Sequence, residues 1–422
     1  MIDYRGQVYY AGTAAEVAHH AAPLQSRLDV CVEEPARILE LARPGDVCLF
    51  FSEHFDRFRE AVGELKSRGV ATLYAMDGIL EWRNTWELNP DSLSCPWTMR
   101  PILSHKVACI GRSQVRVLES WGNGGKCELV GIPRFDALRD RQPRERQPGE
   151  PFRVLVMTAK FPAFTPAQME RTLKSLSDLK TWFAENPRID GVAIEPVWRI
   201  THSLEETLGV KNDLRDLTGK DLATALANVD AVVSTASTAM LEGMLQGVPV
   251  ALLDYHHCPI YVPAAWTIAA REALPRTMRE LIAPPPEKMD LQRFLLADAL
   301  QLESSATERM VDLILAMGRE AQSAAEANRP LAFPARKLAG EESTTPTISS
   351  ASRAFAPNGA GPDQSPEVLA LQADLAQARR ELKLVRGELA QAHAILHGLQ
   401  THPITGTFFK AGQVLNRVLR KR

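Results

Sequence analysis

The chain has little excess charge of either sign: 49 Lys+Arg face 51 Asp+Glu across 422 residues, a formal net charge of −2. That balance argues against nucleic acid as a partner of the whole protein. Cysteine is sparse. The six residues Cys31, Cys48, Cys95, Cys109, Cys127 and Cys258 form no C-x-x-C pair and stand near no histidine at zinc-ligand spacing. Several fall inside apolar runs, as in Asp46-Val-Cys-Leu-Phe-Phe51, so they read as buried thiols of a reducing compartment. No apolar run approaches the roughly 18 residues of a membrane span, and no apolar stretch of signal-peptide length follows Met1. A cytoplasmic location is the expectation. Neither a G-x-x-x-x-G-K-S/T phosphate loop nor a G-x-S-x-G elbow occurs, which excludes P-loop NTPases and α/β-hydrolases. His256-His257 stands next to Asp254, but no third metal ligand is evident, so no metal is expected at that place.

What is present is a repeated α/β pattern. Pro44-Gly45 introduces an apolar strand over 46–51. Phe55, Phe58, Val62 and Leu65 then share one helical face, and Gly69 ends that helix before a second strand over 70–75. A strand over 106–110 and a helix over 113–121 follow. The order strand, helix, strand predicts parallel βαβ units. Residues 139–150 are apolar only at their prolines and read as a linker. The pattern restarts with strands over 152–157, 191–194, 230–234 and 248–253, and helices over 166–183 and 238–246. The predicted organisation is a first Rossmann-like domain over 1–138, the linker over 139–150 and a second Rossmann-like domain over 151–330. A disordered Ala/Ser/Thr/Pro/Gly-rich linker over 331–366 comes next. From 367 to 400 a heptad runs with Val368, Leu375, Leu382, Leu389 and Leu396 on one seam and Leu371, Ala378, Val385, Ala392 and Leu399 on the other. This predicts a coiled coil that joins copies of the chain. The tail over 401–422 is basic and amphipathic, suited to peripheral contact with the inner face of an anionic membrane.

The sharpest chemical signal is Asp230-Ala-Val-Val-Ser-Thr-Ala-Ser-Thr-Ala-Met-Leu-Glu242. A buried strand ends in Ser234, Thr235, Ser237 and Thr238, and a helix begins at once. Free N–H groups at a helix start attract phosphate, and hydroxyls add donors. Glu242 stands one turn beyond Thr238, where a carboxylate can accept from ribose hydroxyls.

This stretch resembles the donor-site element of GT-B glycosyltransferases. Glu128-Leu-Val-Gly-Ile-Pro-Arg-Phe-Asp136 resembles the G-x-P-R-x-D element of bacterial surface-polysaccharide and teichoic-acid-type transferases, among them CDP-glycerol glycerophosphotransferases. The resemblance implies two Rossmann-like domains facing a cleft. It also implies a nucleotide-sugar donor, a surface-glycan or glycolipid acceptor, and release of a nucleoside diphosphate. Sugar-nucleotide 2-epimerases share the fold and are an alternative, as are a glycerophosphotransferase and a non-catalytic coiled-coil scaffold. In the glycerophosphotransferases a His-Gly pair supplies the base. Here Met76-Asp77-Gly78 stands at that place, which makes Asp77 the candidate base and Glu81 the other candidate. The resemblance implies no metal and no other cofactor, since GT-B enzymes do not usually hold a metal for the departing diphosphate. Lys160 and Arg199 after strands and Arg134 in the interdomain element are the candidates to stabilise it.

Overall fold

The computed structural model describes residues 4–83, 99, 101–139, 144–210, 222–334 and 338. Two parallel sheets dominate, as the α/β pattern predicts. The first holds β1 (Val8–Ala11), β2 (Val30–Glu33), β3 (Val47–Phe50), β4 (Ala71–Ala75), β5 (Lys106–Cys109) and β6 (Cys127–Leu129), in spatial order β2-β1-β3-β4-β5-β6. Between these strands run α1 (Ala14–Gln25), α2 (Pro35–Leu41), α3 (Asp56–Ser67) and α4 (Arg112–Leu118).

The second sheet has the order β12-β11-β10-β7-β9-β8, all parallel except that β8 runs against β9. Its strands are β7 (Phe152–Met157), β8 (Arg188–Ile189), β9 (Val192–Arg199), β10 (Ala231–Ser234), β11 (Val250–Leu253) and β12 (Trp266–Ile268). The helices that follow them are α5 (Pro166–Glu185), α6 (His202–Leu208), α7 (Leu222–Leu226), α8 (Ala239–Leu245), α9 (Leu274–Ile282), α10 (Pro286–Ala299) and α11 (Ala306–Glu326). One buried apolar cluster is continuous across both sheets, from Tyr74, Cys109 and Phe135 to Leu155, Val232 and Met240. The five described cysteines are free thiols.

Two features differ from the sequence reading. The second domain was expected to run to 330, yet α11 packs on the first sheet: Met310, Leu313, Ile314 and Met317 join Val8, Tyr10, Val47 and Leu49 in one core. Asp136 fixes the start of that helix. Its carboxylate accepts from Ala306 N (3.0 Å), Thr307 N (2.8 Å) and the Ser305 hydroxyl (2.7 Å). Gly131 allows the approach, because at φ +96 an added Cβ would lie 3.0 Å from Ala306 Cβ. The Gly and the Asp of the G-x-P-R-x-D element thus serve the fold, and its Arg is left for the cleft.

The linker expected from 331 also begins later. Leu331, Phe333 and Leu338 pack against the first core. There Lys106 Nζ donates to Pro334 O (3.2 Å), and Leu338 N donates to the Glu128 carboxylate (3.0 Å). The buried Lys106–Glu128 pair offers a spare donor and acceptor, and the backbone of this segment supplies their partners. The predicted coiled coil over 367–400 and the basic tail over 401–422 lie outside the described residues. Among the described residues no helix is long and apolar enough to cross a membrane.

Candidate functional site

The segment from Asp77 to Arg83 leaves the C-terminal end of β4 and lies between the two sheets. Four contacts clamp it. Gln114 Nε2 of α4 donates to Gly78 O (3.0 Å), and Ile79 N donates to Thr238 Oγ1 (3.1 Å). Arg83 Nη1 donates to Pro162 O (3.1 Å), and Arg134 Nη2 reaches Asp77 O (3.5 Å). Gly78 is needed here: a Cβ would sit 2.6 Å from Thr238 Oγ1. Parallel sheets place ligand-binding residues at this carboxyl edge of their strands.

A recess opens on either side of the clamped segment. One is lined by Tyr10, His20, Asp77, Ile132 and Arg134. The other runs between Glu81, Trp82 and Arg83 on one wall and Thr235, Asp254, His256 and Tyr261 on the other. Tyr261 lies between Trp82 and Trp121, with ring centroids 6.3 and 5.9 Å away. Burial, followed by the charges of Arg83 and Arg171, lowers the His256 pKa to about 4, so its ring is neutral near pH 7.

Arg134 and Glu242, found in separate motifs, meet across the domain boundary at 3.0 Å. The Arg134 guanidinium also stacks 4.5 Å above the Phe135 ring. Asp77 faces the same recess and contacts His20 Nε2 at 3.2 Å. Burial works against ionisation of Asp77. The contact with His20 and the charge of Arg134 outweigh it, and they hold the carboxyl below its usual range.

The four hydroxyls of the predicted anion site fall into two kinds. Ser234 is fully buried and donates to Thr235 O (2.8 Å), so its hydroxyl belongs to the core and not to a ligand. The sequence could not show this, because the last residue of a buried strand points to either face. The other three oxygens accept: Thr235 from Ala159 N (3.0 Å), Ser237 from Ala239 N (3.2 Å) and Thr238 from Ile79 N (3.1 Å). An accepting hydroxyl is oriented while its own O–H remains able to donate.

Glu81 does not fit a free base. It is ion-paired with the buried Arg83, which orders the clamped segment. Lys160 is exposed, with Nζ 5.8 Å from the Phe161 ring centroid. Arg199 closes β9 and, among the described residues, shares no hydrogen bond or ion pair with the Arg134–Glu242 cluster. His19 and His20 escaped the sequence reading, and Gln114, at the entry of the helix after the strand over 106–110, carried no site role in it. The adjacent pair His19-His20 was a visible signal, but nothing in sequence tied it to Asp77.

No family model and no curated protein matches the chain. Among solved structures it is similar to a variant of the wall teichoic acid polymerase TagF soaked with CDPG. The TM-score is 0.52 at 10% identity, over 75% of this chain and 89% of that one. A putative UDP-N-acetylglucosamine 2-epimerase from Listeria monocytogenes aligns over 78% of this chain and 99% of its own, at 14% identity and a TM-score of 0.48. A complex of MnaA with UDP from S. aureus aligns over 78% and 99%, at 9% identity and a TM-score of 0.46. Identities this low speak to fold alone. With two parallel sheets, a cleft between them and a final helix returning to the first sheet, the chain has a GT-B-like fold.

Proposed function

We propose that the chain is a glycosyltransferase that moves a sugar from a nucleotide donor to a surface-glycan or glycolipid acceptor. One observation carries this reading: Arg134 and Glu242 meet at the cleft, beside Asp77 and the Thr238 end of α8. In this reading the O–H groups of Thr235, Ser237 and Thr238 donate to the diphosphate of the donor. Glu242 accepts from the ribose, and Arg134 neutralises charge on the leaving group as the bond to the sugar breaks. Asp77 receives the proton of the attacking acceptor hydroxyl. The coiled coil would pair copies of the chain, and the basic tail would bring them to a membrane that carries the acceptor.

Nucleotide release from a panel of UDP-, GDP- and CMP- or CDP-activated sugars, with and without glycan acceptors, tests the proposal. Release that depends on acceptor is the expected result. Turnover without acceptor would instead mark a 2-epimerase-type enzyme. Absence of binding by UDP, GDP, CMP and CDP in calorimetry would leave only the scaffold reading.

A further inference from the structure

The sequence reading expected no metal, yet His19, His20 and Asp77 each offer one ligand atom, and these atoms all lie within 4.8 Å of one another. The set is assembled by the fold. The two histidines come from α1, and Asp77 comes from the end of β4. The imidazoles of His19 and His20 lie with centroids 3.7 Å apart at 44°. His20 is held by nearly parallel neighbours on Tyr10 (6.4 Å, 18°) and Phe51 (6.4 Å, 16°). Its side chain is only 8% exposed, while Asp77 is 45% exposed and opens to the recess.

We infer that His19, His20 and Asp77 form a binding site for a divalent transition-metal ion of the zinc class. The His20–Asp77 spacing of 3.2 Å suits two ligands of one ion as well as it suits a hydrogen bond. Ligand bonds of about 2.0–2.2 Å place neighbouring ligand atoms roughly 3–3.5 Å apart. Two imidazoles and a carboxylate favour zinc and its neighbours over magnesium or calcium, which take oxygen ligands. Arg134 and Lys160 bring positive charge towards the site, which works against a cation; pairing of Arg134 with Glu242 and the exposure of Lys160 to screening water reduce that opposition. Three protein ligands leave at least one coordination position open, and the recess with Arg134 is where a substrate oxygen would reach it.

The inference does not rest on the transfer reading. An ion held by Asp77 removes that carboxylate as a free base, so metal-loaded and metal-free chains are two chemical states of one site. The test uses the purified full chain, stripped with chelator and then titrated with zinc in a calorimeter. Cobalt uptake is followed by visible absorption. One zinc per chain is expected, together with cobalt bands distinct from those of the aqueous ion. His19→Ala should keep the wild-type melting temperature, since its side chain is exposed, and should bind zinc roughly 10- to 100-fold more weakly or worse. Asp77→Asn should lose affinity in the same way. No binding above the buffer blank overturns the site, and so does equal affinity in both variants. Donor binding measured in chelator judges the transfer reading separately.

Discussion

Among the ion pairs that join separate elements of this molecule, two differ sharply in their surroundings. Lys106 and Glu128 stand on neighbouring strands of the first sheet, 2.8 Å apart, with 1% and 0% of their side chains exposed. Further groups of that pair are engaged by main chain, at Gly125 O, Pro334 O and Leu338 N. Arg134 and Glu242 join the two domains with 26% and 11% exposed. There the pairing is incomplete: Arg134 Nε is buried without a hydrogen-bond partner among the described residues. A buried polar group left unmatched costs stability, and a ligand or an ordered water can complete it. The saturated pair is architecture. The unsaturated one keeps a donor to spare, which the ligand role proposed for Arg134 would use.

Breaking each pair should separate the two roles. Lys106→Met strands the Glu128 carboxylate in a dry core and should remove about 3–5 kcal/mol of folding stability, read from urea denaturation. A stability within experimental error of wild type would show that the pair is not structural. Glu242→Ala should have the opposite profile. Donor affinity should fall by about 1–3 kcal/mol in calorimetry, the range for a lost hydrogen-bonded partner. Folding stability should change by no more than about 1 kcal/mol, because Arg134 can turn to water. A folded variant that binds donor as tightly as wild type would remove Glu242 from the site.

The same contrast explains what could be read from the sequence. Apolar runs such as Val47–Phe50 and Phe152–Met157 announce buried strands, and both are strands. β1, Val-Tyr-Tyr-Ala, is not picked out by the sequence pattern although Gly6 and Gly12 flank it, and it lies between β2 and β3. The sequence pattern marks β9 only as far as 194, because Glu195 and Pro196 interrupt it. The strand continues to Arg199, since β8 covers only Val192 and Ala193 and leaves an open edge where proline is tolerated. At the candidate site, local motifs mark Thr238, Glu242 and Arg134 as candidates, and the structure brings Arg134 to Glu242 and Thr238 to Ile79. No local motif marks the His20–Asp77 contact, since it depends on where α1 comes to lie over β4. Ser234 shows the reverse failure: its residue type fitted the motif, and its strand position turned it inward.

Asp136 tests whether the motif divides as the structure divides it. It caps α11 while Arg134, two residues earlier, faces the cleft. Asp136→Ala should cost about 0.5–2 kcal/mol of stability, the range for a lost helix cap. Donor affinity should stay unchanged once the variant is folded. Main-chain donors outweigh the burial that opposes ionisation of Asp136 and keep its pKa low, so its contribution should hold at neutral pH and fade only in acid, as pH falls through the lowered value.

The smallest expected effect lies in the architectural half and concerns His105. Thr72 N–H donates to its Nδ1 at 3.1 Å, which requires that nitrogen to be unprotonated. Burial, then the charges of Lys66 and Lys126, lowers the His105 pKa to about 4, against roughly 6.5 in the unfolded chain. Between those values the unfolded state binds the extra proton. Stability from this residue is therefore complete above about pH 6.5 and declines as pH falls towards 4. From pH 7 to pH 6 the loss should be about 0.5 kcal/mol, kept small because the ring is partly open to solvent. Urea midpoints at the two pH values should differ less in His105→Gln than in wild type. His256 titrates in the same window but lines the cleft, so a bound nucleotide should alter its share and leave that of His105 untouched. Equal pH slopes in wild type and His105→Gln would mean that the Thr72 bond does not select the neutral ring.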